Sequence, residues 1–341
     1  MRLCALWLII ATTACTAEHE NIYRKQILAF GTIVELTLYD VEATRGDELS
    51  AAIEASMETF HHDWHAWQAG RLSDINRALR DHGRAALDAD SASVLRQALA
   101  LSAASGGLFH PGLGELVALW GFHSDSLPTA PPAAAEVTAA VAHIANLQAL
   151  RLNEDSIEST GERLQLDLGG MAKGVIIDRT IAYLRREGID NAIVNAGGDL
   201  RAIGRAGQRP WRIGIRHPRA SGVFASLTTT ADEAIFTSGD YERFFEADGK
   251  RYHHLIDPRT GYPADSIASV TVVHADGATA DAAATALFIA GVEDWPKTAR
   301  AMGIDHVMLI DTRNTVYITP AMLQRIDFEV TPRRILVVPL S

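Results

Sequence analysis

Three groups of side chains in this 341-residue sequence carry types and spacings suited to chemistry. Asp281 and Thr285 stand one helical turn apart in ATADAAATALFIA (278–290), so a carboxylate and a hydroxyl share one face. Both are hard oxygen donors of the kind Mg²⁺ takes when phosphate and water fill its remaining positions. Each has an ordinary reading as well: the dipole favours an Asp in a first helical turn, and a Thr among alanines is unremarkable. The second group is DLGGMAKG (167–174), where Asp167 precedes a Gly169-Gly170 turn and Lys173 falls in the first turn of the helix that follows. A cation there opposes the macrodipole, a conflict that a bound anion relieves; a solvated surface lysine is the alternative. The third is KRYHHLIDPRTGYPAD (250–265), which sets His253, His254, Asp257 and Arg259 around a Pro258 turn. Arg259 suits either a phosphate or a brace on Asp257. Taken together, the groups point to Mg²⁺-assisted chemistry on a phosphate ester or nucleotide.

Leu164 to Gly204 must position the second group. Leu164, Leu166 and Leu168 alternate with polar residues and predict a strand ending at Gly169-Gly170. The following pattern predicts an amphipathic helix closed by Gly188, and Asn191–Asn195 predicts a strand that runs into Ala196-Gly197-Gly198-Asp199. Two glycine turns, each carrying an Asp (Asp167, Asp199), are expected to form a floor whose amides approach a phosphate. The floor is neither a Walker A loop, since Val175 and Ile176 stand where Lys and Ser/Thr are needed, nor a GxGxxG turn.

Elsewhere, 27–39 predicts a strand, 46–67 a helix with apolar Leu49, Ile53, Met57 and Phe60, and 91–105 another helix. His61 and His65 have metal-compatible spacing but lack HExxH, and are read as helix-end histidines. LFHPGLGELVALWGFH (108–123) suits a loop and short helix against a flat ligand, or core packing. SLPTAPPAAA (126–135) reads as a linker between a helical portion, about 40–125, and an α/β portion, 136–341. Further strands are predicted at 211–215, 226–230, 234–237 and 267–273.

Composition narrows the function classes. At 48% hydrophobic and 21% charged the chain is globular, and a formal net charge of -11 excludes a nucleic-acid binder built on phosphate neutralisation. Arg2 followed by an apolar run and small residues predicts an export signal over 1–14, too short for a permanent span. Thr12-Thr13-Ala14-Cys15 resembles a bacterial lipobox, which implies lipidation at Cys15, a tether over 15–26 and a place on the periplasmic face of a membrane. Cys4 and Cys15 are the two cysteines, so the body has neither disulfide nor thiol chemistry.

DLGGMAKG, VNAGGD, TSGDYER, YHHLIDPRTGYPAD and DAAATALFIAG, in that order, resemble the ApbE family of FAD:protein FMN transferases. The resemblance runs from Phe30-Gly31-Thr32 onward. It implies an α+β catalytic domain with mixed sheets, a packed N-terminal helical portion and FAD in the cleft between them. It also implies Mg²⁺-dependent cleavage of FAD, transfer of FMN to a threonine of an acceptor flavoprotein subunit in ion-pumping respiratory complexes, and release of AMP. By position, Phe30, Trp67, Leu108, Phe109, His110, Asp167, Lys173 and Leu255 are similar to the family's FAD contacts, and Gly170, Asp281 and Thr285 to its metal ligands. His110 stands where an Asp is usual, and Phe30 where a Met is common. A threonine hydroxyl benefits from a base: His254 or His253 is the candidate, with Asp257 beside them. Two other readings share the site, a Mg²⁺-dependent FAD pyrophosphatase and a non-catalytic flavin-binding lipoprotein.

Overall fold

The computed structural model describes residues 21–144, 147, 150–159, 164–230 and 232–340. The expected signal, Cys15 and residues 15–20 of the expected tether lie outside the described residues. Residues 22–26, also read as tether, are strand instead. β1 (Ile22–Ala29) pairs along its whole length with β2 (Thr32–Tyr39). Their turn, Phe30-Gly31, holds both residues at positive φ, 55° and 69°, as a two-residue hairpin on twisted strands demands.

Three helices follow, α1 (Ala43–Trp64), α2 (Arg71–His82) and, after the short β3 (Arg84–Ala86), α3 (Ala89–Ala104). α1 buries Leu49, Ile53, Met57, Phe60 and Trp64 on one face. It ends three residues before the expected Trp67, because His65 turns extended and its Nδ1 accepts the Trp67 N–H at 3.1 Å. α4 (Gly114–Leu119) and α5 (Ala134–His143) bracket the proline-rich stretch, and β4 (Leu150–Leu152) and β5 (Ser156–Ser159) join β3 in a small sheet.

The segment 164–168 corrects one expectation. Its leucines are buried in alternation as predicted, yet it joins no sheet. The side chain of Asn76 acts as its ladder partner: Nδ2 donates to Leu166 O (2.9 Å) and Oδ1 accepts Leu166 N–H (2.8 Å). Pro111 O accepts Asp167 N–H, and Gln165 O accepts Gly114 N–H. The extended backbone is thus satisfied by a helix side chain and a loop.

α6 (Ala172–Arg186) begins after the glycine turn and ends at Gly188, whose φ of 79° makes it the left-handed cap. Then come β6 (Ala192–Ala196), β7 (Asp199–Ile203), β8 (Arg212–Arg216), β9 (Val223–Thr228), β10 (Glu233–Gly239), the hairpin β11 (Phe244–Ala247) and β12 (Lys250–His253), and β13 (Ile267–His274). α7 (Gly277–Ala301) kinks at Gly291, so its straight first half matches the helix expected over 278–290. β14 (His306–Asp311), β15 (Thr315–Ile318), α8 (Pro320–Leu323), β16 (Ile326–Phe328) and β17 (Arg334–Val337) complete the described chain.

The main sheet runs β1-β2-β6-β7-β10-β13-β14-β15-β17, antiparallel except for the parallel β15–β17 pair. Alternating side chains sort to its two faces. Phe236, Val270, Val272, Val307 and Leu309 point into the core shared with α1, α2, α3, α6 and α7. Ile235, Val273, Met308 and Ile310 meet a second core beneath the β16-β9-β8 sheet. A third cluster, Trp120, Phe122, Val137, Phe245 and Ile256, ties α4 and α5 to the β11–β12 hairpin. The fold is α+β, with α1, α2, α3, α6 and α7 gathered on one face of a mixed sheet and the short α8 in the core on the other.

Candidate active site

Lys173 is the pivot of the site. It sits in the first turn of α6 and forms an ion pair with the buried Asp199, the first residue of β7. The other oxygen of Asp199 accepts Thr237 N–H from β10 at 2.9 Å. Burial works against the ammonium, but Asp199 and Asp281 outweigh it and hold the Lys173 pKa above that of an ordinary lysine. The dipole conflict read in the sequence is relieved by two carboxylates.

Asp281, in the second turn of α7, accepts Gly174 N–H through Oδ2 at 3.0 Å; Oδ1 has no hydrogen bond among the described residues. Burial pushes its carboxyl well above the usual carboxylate range; Lys173 opposes the rise and Asp199 adds to it. Thr285 Oγ1 lies 3.4 Å from Ser238 Oγ. A β-carbon at Gly170 would sit 3.3 Å from that same Oγ1 and 3.4 Å from the Phe109 ring, so the glycine lets the turn approach both. Asp281, Thr285 and the Gly170 backbone therefore offer a compact set of hard oxygens. A buried carboxylate that burial makes costly to ionise is one that a divalent cation restores, so the residues fit Mg²⁺.

Around this polar floor the chain forms a cleft enclosing about 290 Å³, at the lower end of small-molecule sites. Leu108, Phe109, His110, Asp167, Gly170, Lys173, His254, Leu255, Asp281 and Thr285, all picked out in the sequence, line it together. Leu113, Val117, Phe122, Ile256 and Ile289 give one end the apolar surface that a flat ring requires. Trp67 is joined at the rim: its Nε1–H donates to Asp167 Oδ2 at 3.2 Å, and its ring lies 5.2 Å from that of His123.

Four expectations are corrected. The second glycine turn is no phosphate cradle, because Asn195 Oδ1 takes Gly198 N–H and Ile33 O takes Gly197 N–H; the turn serves to deliver Asp199. Phe30 does not line the cleft but packs edge-on against Phe60 and His61. His253 is buried beside Phe288, donating Nε2–H to Ala264 O at 2.5 Å and accepting Leu255 N–H at Nδ1, so neither ring nitrogen is left for a proton. Asp257 is occupied by Arg259, which binds it through Nε and Nη2 and its own backbone N–H, so this pair braces the Pro258 turn. His61 and His65 touch ring to ring, and among the described residues no cluster of three metal-ligating side chains forms.

His254 does face the cleft. Arg243 O can only accept, so the 3.3 Å contact makes Nδ1 the protonated nitrogen and leaves Nε2 as the acceptor. Burial, followed by repulsion from His253, lowers its pKa to about 3. The sequence reading omitted Ser238, Glu242 and Arg243 from the site, though all three lie in TSGDYER. Glu242 lines the cleft, and burial raises its carboxyl above the usual range while Lys173 draws it back.

A family profile described as the ApbE family matches residues 30–308. The chain belongs to the ApbE family. A Rhodobacter capsulatus FAD:protein FMN transferase is 39% identical over 298 residues, 87% of this chain; the chain spans 57% of that relative's length. A Klebsiella pneumoniae FAD:protein FMN transferase is 35% identical over 74% of this chain and 79% of its own. Among solved structures, the ApbE protein of Thermotoga maritima superposes with a TM-score of 0.80 at 30% identity, covering 91% of this chain and 100% of that one. The flavin transferase ApbE from Vibrio cholerae gives 0.79 at 27%, covering 90% and 99%. The ApbE match takes in every residue of the cleft, from Leu108 to Ile289.

Proposed function

We propose that this chain is a Mg²⁺-dependent FAD:protein FMN transferase, which attaches FMN through a phosphoester to a threonine of an acceptor protein and releases AMP. The observation that carries the reading is that Asp281, Thr285, Gly170 and Lys173 line one cleft together with the apolar Leu113, Val117, Phe122 and Ile256, and that Gly170 closely approaches Thr285. Asp281, Thr285 and the Gly170 carbonyl would hold Mg²⁺, which neutralises pyrophosphate charge when bound. Lys173 would turn from Asp199 toward the phosphate, placing its charge where the departing AMP gains one. The acceptor hydroxyl attacks the FMN phosphorus, the bond to the AMP oxygen breaks, and the hydroxyl proton passes to His254 Nε2. Burial is the chief cause of its low basicity, with repulsion from His253 and then Lys173 added; pyrophosphate bound beside it would oppose that repulsion and raise it. Leu108, Phe109 and Leu255 would flank the ring, and Trp67 would fix Asp167 at the rim. The export signal and lipobox support anchoring at Cys15 on the periplasmic face of a bacterial membrane, with acceptors among flavin-carrying respiratory subunits.

The test incubates protein starting at Cys15 with FAD, Mg²⁺ and an acceptor domain bearing the target threonine, and weighs the acceptor by mass spectrometry. An FMN adduct that disappears with EDTA, and falls on the order of 10²-fold or more in Asp281→Ala, is expected. FMN and AMP appearing with an unmodified acceptor would replace the reading with a pyrophosphatase; intact FAD would leave a flavin-binding protein.

A further inference from the structure

Lys173 belongs to α6 and Asp281 to α7, so the site depends on how these two helices are held. Their N-terminal turns cross unusually closely. A β-carbon at Gly174 would lie 2.3 Å from Gly277 O, and one at Gly277 would lie 2.8 Å from Asp178 Oδ1. Asp178, one turn beyond Gly174 on α6, reaches across this contact. Its Oδ2 accepts the N–H groups of Gly277 at 2.8 Å and Ala278 at 3.2 Å, two of the first-turn donors of α7 that have no partner within their own helix. Its Oδ1 is paired with Arg201 of β7, two residues from Asp199 and on the same side of that strand.

The arrangement has two parallel rungs. In one, Asp199 of β7 meets Lys173 of α6, while Gly174 N–H meets Asp281 of α7. In the other, Arg201 of β7 meets Asp178 of α6, which meets the start of α7. α7 already has its own N-cap, Asp276, which takes Thr279 N–H at 2.8 Å. A second carboxylate from another helix is therefore more than capping requires. Its distinctive effect is to fix the rotation and depth of α7 relative to Lys173 and the Gly170 turn.

We propose that Asp178 is a positioning residue, which sets the distance between the oxygen cluster on α7 and Lys173 on α6 without touching substrate. The role rests on the proposed transferase reading for its purpose, but its geometry can be tested apart from turnover. Mn²⁺ binding to the full mature chain, followed by electron paramagnetic resonance without and with FAD, probes the oxygen cluster directly. Hydrogen exchange at Gly277 and Ala278 probes the anchor.

Asp178→Ala is expected to weaken Mn²⁺ binding about tenfold, the low end of what loss of a ligand-supporting contact costs, and to speed exchange at both amides. The rate of FMN transfer falls by a similar factor, with KM for FAD changed less than about twofold, because the apolar contacts remain. Arg185→Ala, which breaks another α6 ion pair, to Asp232, is the control for lost stability alone and is expected to leave Mn²⁺ affinity unchanged. Should Asp178→Ala not fold, Asp178→Asn decides. It keeps an acceptor for the amides but sets an NH₂ group against Arg201, and a loss of roughly threefold is expected on the same grounds. Wild-type Mn²⁺ affinity in a folded Asp178→Ala, or in Asp178→Asn when that alone folds, overturns the positioning role. A wild-type chain that binds Mn²⁺ but transfers no FMN overturns the transferase reading alone, since the titration still reports on Asp178. A wild-type chain that binds no Mn²⁺ overturns both.

Discussion

His253 and His254 are neighbours in sequence with opposite fates. Strand alternation sends one ring into the core beside Phe288 and the other toward the cleft, where Arg243 O fixes its tautomer. Adjacent histidines marked the place; which ring was available depended on the strand's facing, which the residues alone left open. The folded chain keeps His254 neutral down to about pH 3, mainly through burial, with His253 and Lys173 adding repulsion. An unfolded histidine takes up its proton near 6.5. Between these values the unfolded state binds more protons, so stability declines as pH falls through the window and is fully recovered above it. The share from this one group reaches at most about 1.4 kcal/mol per pH unit. Urea midpoints measured from pH 7 to 4 should therefore fall less steeply in His254→Gln than in the wild type. His65 and His306, whose pKa values are also lowered, contribute equally to both proteins. Parallel profiles would mean that His254 is protonated in the folded chain.

At the scale of elements, patterns that reflect one helix or one strand against a core were readable. The α6 helix with its Gly188 cap, the β6 strand and the straight half of α7 each follow from local periodicity and a terminating glycine. Features defined by a distant partner were not. Leu164–Leu168 has a strand's alternation, yet sheet membership depends on a neighbouring backbone, and a helix side chain stands in its place. The β11–β12 hairpin was hidden inside a stretch whose polar density drew attention to its chemistry, and the order of the main sheet, including the parallel closing strand β17, has no local signal. Asn76 makes that substitution testable. Asn76→Ala leaves the buried N–H and C=O of Leu166 without partners, at a cost of about 1–3 kcal/mol for each. A net loss of roughly 2–4 kcal/mol is expected in denaturant unfolding, together with weakened FAD binding, because the same segment carries Asp167 and the Gly170 turn. A loss below about 1 kcal/mol would show that water or a shifted segment satisfies the backbone instead.

Across the whole molecule, the cation that would meet a pyrophosphate stands in a cleft whose carboxylates, Asp167, Asp199, Glu242 and Asp281, outnumber Lys173 and Arg243, and in a chain that is itself negative. Lys173 offers a cation to a pyrophosphate, but the chain carries a formal net charge of -11. The arginines around the TSGDYER and hairpin segments do little to offset it locally: Arg219 is paired with Asp240 and Arg251 with Glu246, and Arg243 has Asp125 at 3.8 Å. An approaching FAD is thus repelled at long range and attracted at contact. The Debye length shrinks from about 30 Å at 0.01 M salt to about 8 Å at 0.15 M, which removes the long-range part first and leaves the partly buried contact less affected. The association rate of FAD, followed by flavin fluorescence in a stopped-flow instrument at fixed Mg²⁺, should accordingly rise with salt over this range, by about two- to fivefold if the field acts as it does in other steered encounters. A protein built to draw in phosphates electrostatically would show the reverse. A rate that falls with salt would mean that the field at the mouth is positive despite the overall balance, and that Lys173 acts beyond contact range.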